Sequence, residues 1–102
     1  EFLSAMGGAR TILLAFLNKP TYSEDMIPSC IESVSAAMQN AVLMAHAEGI
    51  ASCWVEAVCQ AGDALHEKFA PDHGKLIGGI ILGYPAMEPR EIPRKAGRFE
   101  IR

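Results

Sequence analysis

Cysteine is scarce in this chain: Cys30, Cys53 and Cys59 are the only three among 102 residues. An odd number cannot pair completely, and no two show C-x-x-C spacing, so reduced thiols in an intracellular protein are the expectation. Long apolar runs are missing too. The run Thr11–Leu17 is far short of the ~20 apolar residues of a membrane span. It also lacks a basic leader and a clear cleavage site. Together these absences predict a cytoplasmic protein with no membrane partner. Positive charge is modest, with nine Lys/Arg against twelve Asp/Glu and a net charge of −3. Nucleic-acid binding wants a broad basic face, and this composition does not supply one. The charge is also uneven. Residues 1–87 hold four Lys/Arg and nine Asp/Glu, whereas residues 88–102 hold five Lys/Arg and three Asp/Glu. A mildly acidic body with a basic tail is compatible with a few cations meeting one phosphate.

Self-contained catalytic motifs are absent as well. Gly74-Lys75 is followed by Leu76, where a Walker-type loop needs Ser or Thr to hold magnesium. No G-x-G-x-x-G follows a strand-like run, and no G-x-S-x-G nucleophile elbow occurs. Cys53, Cys59, His46, His66 and His73 fit no common zinc spacing, so no metal site is expected. His46 lies near the end of an apolar helical stretch and reads as a cap or core histidine rather than a catalyst. With no local nucleophile or acid–base set, no catalytic residue is assigned. Any chemistry would then come from a cofactor that the protein positions.

What the chain does have is 50% hydrophobic and 21% charged residues, the profile of one soluble folded domain. Glu1–Arg10 has no period and reads as a leading loop. Thr11–Leu17, closed by Asn18-Lys19-Pro20, predicts a short strand buried on both faces. Ser29 and Glu32 have capping-box spacing, with Pro28 just before them. Ile31, Val34, Met38, Ala41 and Ala45 then mark one helical stripe, which Gly49 ends. From Ala41 to Ala45 this helix is apolar nearly all round, so burial on more than one side is expected. Ile50–Glu56 and Leu76–Leu82 predict two more strands, the latter with Gly78-Gly79 allowing a close backbone approach. Gln60–Phe69 predicts a second helix, with Asp63 early and Lys68 late. Beyond Gly83, Pro85, Pro89 and Pro93 rule out a helix and predict an extended arm. Arg98–Arg102 alternates as a terminal edge strand would. The organisation expected is an α+β core over residues 1–87 and a basic arm over 88–102 of the same domain.

Three ordered segments carry a resemblance. Ser35–Ile50, with its Gln39-Asn40, small-residue run and closing Gly49-Ile50, is similar to the long central helix of FMN-dependent nitroreductases. Ala51–Ala57 resembles the strand and loop that follow that helix. Leu82-Gly83-Tyr84-Pro85 and then Pro93-Arg94-Lys95 resemble the family's last core strand and basic tail. The resemblance covers roughly residues 11–102. It implies a truncated three-layer α/β/α fold with three core strands. It further implies a homodimer with the long helix at its interface, FMN bound between subunits, and arms that wrap the partner. The activity implied is a ping-pong transfer of hydride from NAD(P)H through FMN to nitroaromatics, quinones or similar acceptors. Residue by residue, Val55, Glu56 and Ala57 match the segment that runs past the flavin N5 and O4, with Ala57 where the family has glycine. For Glu56, a solvated strand-end carboxylate is the competing reading. Arg94, with Lys95 or Arg90, matches the tail cations that pair with the FMN phosphate, against the alternative of a solvated basic arm. Trp54 reads as a packing residue rather than a flavin stacker. The family's Arg-Arg-Ser-x-Arg-like helix and Pro-Ser-x-x-Asn-like stretch do not occur in this sequence. The C-terminal half of such a protein is therefore the expectation, and a non-catalytic dimerisation or ligand-binding module is the rival to an oxidoreductase.

Overall fold

The computed structural model describes residues 8–102 and has an α+β fold, a three-stranded antiparallel sheet with two helices. The first seven residues of the leading loop expected over 1–10 lie outside the described part. Strand β1 is Thr11–Phe16, helix α1 is Ile27–Ala47 and strand β2 is Ala51–Val55. A 3-10 helix, Glu56–Ala61, leads into helix α2, Gly62–Phe69, and strand β3 is Leu76–Gly83. The sheet order is β1-β3-β2, and β3 pairs antiparallel with both neighbours.

The two glycines in the middle of β3 explain how the sheet is covered. A Cβ at Gly78 would stand 3.2 Å from Met38 Cε on α1, whereas one at Gly79 would stand 3.1 Å from Val58 Cγ2 on the 3-10 helix. Successive strand residues point to opposite faces. Met38 therefore presses on one face of β3 and Val58 on the other. The close approach expected at Gly78-Gly79 is real, and its partners are these two side chains. Met38, Val58 and Ile80 are at most 2% exposed, each contributing on the order of 1.5–3 kcal/mol through burial. A bulge leaves Ile77 without a β1 partner, because Ala15 faces Gly78 while Phe16 faces Leu76. The extra residue shifts the alternation, and buried Leu76 lies toward α2, its Cβ 4.0 Å from where one on Gly62 would stand.

Helix α1 presents the expected stripe: Met38 and Ala45 are buried, and Ile31, Val34 and Ala41 are half-buried. Its end is a full Schellman motif. Gly49, at φ 74°, donates to the His46 carbonyl at 3.0 Å, and Ile50 donates to the Ala45 carbonyl at 2.8 Å. Its start corrects the sequence reading. The helix begins at Ile27, two residues before Ser29, and no side chain caps it. Pro28 sits in the first turn, where its missing N–H costs no bond, and Ser29 falls inside the helix.

Three further expectations change. Strand β1 is not buried on both faces: Thr11 and Leu13 are exposed, and among the described residues its one strand neighbour is β3. The helix expected over Gln60–Phe69 is split, its first two residues belonging to the 3-10 turn. Arg98–Arg102 forms no strand; it has the alternation but no paired neighbour among the described residues. Among the described residues, no helix is long and apolar enough to cross a membrane.

Candidate functional site

The turn after β2 holds three of the five sequence-derived site residues. Val55 is the last residue of the strand, half-buried and opposite Gly79. Glu56 and Ala57 then open the 3-10 helix rather than extending the strand, and both are exposed. In a helix with i→i+3 bonds the first amides have no intrahelical acceptor, and no side chain caps this end. Within this 3-10 helix the Glu56 and Ala57 amides therefore have no acceptor. Val58, 1% exposed and pressed against Gly79, fixes the turn to the sheet one residue later. No non-glycine residue among those described has a positive φ, so Ala57 adopts an ordinary backbone conformation. The Glu56 carboxylate is exposed and takes part in no described hydrogen bond or ion pair.

Every residue from Gly83 to Arg102 is exposed, Arg90, Arg94 and Lys95 included. Among the described residues none of these three cations forms a salt bridge; the ion pair in the arm joins Arg102 to Glu100 at 3.2 Å. Among the described residues, no salt bridge or side-chain hydrogen bond joins them to the Val55–Ala57 turn. The structure does not assemble the five sequence-derived residues into one enclosed site.

Clefts among the described residues lie elsewhere. One of about 840 Å³ runs between the last turns of α1, at Leu43 and His46, and the start of the arm at Pro85–Pro89. His46 is exposed there, so it is not a core residue. A second, of about 600 Å³, opens at the end of the sheet where Arg10, Ser52 and Tyr84 meet. A third, of about 410 Å³, brings Cys59, Asp63, His66, His73 and Lys75 together. Here His66 Nε2 lies 2.6 Å from the His73 carbonyl. A carbonyl only accepts, so Nε2 carries the proton and donates it. This link was missed from sequence, because the turn after α2 brings His73 back to His66 and no local spacing announces it. Among the described residues, no group of three or more His, Cys, Asp and Glu is arranged to hold a metal ion, and all three cysteines are free. Trp54 is 41% exposed, with its ring edge 4.0 Å from where a Cβ on Gly78 would lie. It packs partly on the face of the sheet that meets α1.

The family model described as Nitroreductase family matches residues 2–84. No curated protein matches the chain.

Proposed function

The chain belongs to the nitroreductase family, and on that premise we propose an FMN-dependent NAD(P)H oxidoreductase that passes hydride to nitroaromatic, quinone or similar small-molecule acceptors. The observation that carries this reading is the family match across residues 2–84. The donors on the chain fit the cofactor. The free amides of Glu56 and Ala57 suit the N5 and O4 edge of a flavin, where negative charge grows on reduction. Arg94, with Lys95 or Arg90, suits a phosphate dianion, because a guanidinium can present two parallel N–H donors to it. When bound, FMN supplies the hydride chemistry. The chain's own residues supply position, hydrogen bonds to the ring edge through the Glu56 and Ala57 amides just beyond Val55, and countercharge for the phosphate.

The amides and the cations are not brought together within one chain, which supports a cofactor held between two subunits. The exposed surface agrees with that arrangement. A compact monomer of this mass exposes about 5,600 Å², whereas this chain exposes 8522 Å². Its radius of gyration is 16.1 Å, against about 13 Å for a compact domain of this length. Part of the excess is the outward side of α1, where Leu43 is 58% and Met44 63% exposed. In the arm, Ile92, Phe99 and Ile101 are all more than three-quarters exposed. In the proposed homodimer α1 meets its copy, and the arm of each subunit lies across the other. The sheet would form the middle layer of a three-layer nitroreductase-like core over residues 1–87, in a cytoplasmic protein.

Anaerobic reduction tests the proposal. Protein loaded with FMN should bleach on addition of NADH or NADPH and regain its colour when a nitroaromatic or a quinone is added. Protein that takes up FMN and is not reduced by either nucleotide would overturn the oxidoreductase reading and leave a ligand-binding module of the same family.

A further inference from the structure

We draw no further inference here: the strongest candidate, the cleft of about 600 Å³ at the end of the sheet lined by Arg10, Thr11, Ser52, Cys53 and Tyr84, is an open hollow with no unpartnered buried polar side chain aimed into it, and nothing in the structure shows what covers it.

Discussion

Gly74 and Leu17 interlock at the point where the chain leaves β1 and enters β3. The Gly74 amide donates to the Leu17 carbonyl at 2.7 Å, and the Leu17 amide donates to the Lys75 carbonyl at 3.0 Å. A Cβ on Gly74 would stand 2.6 Å from Leu17 Cβ and would also strike the Lys19 carbonyl oxygen. Neither obstacle is the loose end of a side chain, so backbone must move. Gly74→Ala is expected to cost about 1–3 kcal/mol, the usual range for overpacking. Urea denaturation measures it, and a variant as stable as the parent would contradict the geometry.

Gly78 and Gly79 give a paired comparison. At Gly78 the obstacle is the flexible tip of Met38, which can swing aside. At Gly79 it is Val58, with both methyls within 3.3 Å of the new atom and Leu14 Cδ2 at 3.4 Å. Valine is stiff at χ1 and this one is fully packed. Alanine also recovers about 0.5–1 kcal/mol of the backbone entropy that glycine loses in a strand. Gly78→Ala should therefore be near neutral, within about 0.5 kcal/mol, while Gly79→Ala should cost about 1–3 kcal/mol. The reverse ranking in denaturant midpoints would mean that the two faces of the sheet are misassigned.

Gly49 isolates the conformational term. Nothing lies within 4 Å of a Cβ added there, and φ is 74°. Gly49→Ala should cost about 1–2 kcal/mol from the left-handed backbone alone. Gly49→Asn should recover part of that, since asparagine tolerates this region better. Equal stability of the alanine and asparagine variants to thermal unfolding would count against the Schellman end.

These positions show what the sequence made legible and what it did not. The stripe on α1 and its closing glycine were readable because both are local: a 3.6-residue period, and a residue free of Cβ strain. The helix start was misread because Ser29 and Glu32 satisfy capping spacing equally well inside a first turn that Pro28 already favours. Arg98–Arg102 has strand alternation, but alternation states only what a neighbour would find, and pairing is decided by tertiary or subunit contacts. β1 was read as fully buried for a similar reason, since an apolar run does not say how many layers cover it. The candidate site divides in the same way. Val55–Ala57 is a local turn, so its place at the end of β2 could be read directly. Whether Arg94 and Lys95 reach that turn would depend, in the proposed homodimer, on where the second subunit stands.

The outward side of α1 tests the subunit arrangement. Leu43 and Met44 point into solvent in the single chain, so replacing both with aspartate should leave the helix intact and abolish association. Light scattering at micromolar concentration should give a dimer for the parent protein and a monomer for the Leu43→Asp/Met44→Asp variant, with unchanged far-ultraviolet circular dichroism. A parent protein that is monomeric under these conditions would remove the dimer from the account.

The phosphate assignment rests on Arg94. Removing a charge-assisted contact costs about 1.5–3 kcal/mol, so Arg94→Ala should raise the FMN dissociation constant roughly 10- to 150-fold. Riboflavin, which lacks the phosphate, should bind the variant and the parent alike. An unchanged FMN affinity would leave Arg94 as a cation of a solvated arm.

Whether this protein holds a flavin at all is the most direct test of the account. The measurement is the visible spectrum of the purified protein after incubation with excess FMN and removal of free cofactor by gel filtration. The protein should be yellow, its flavin absorbance co-eluting with it in stoichiometric amount. A colourless protein that acquires no flavin absorbance would contradict it.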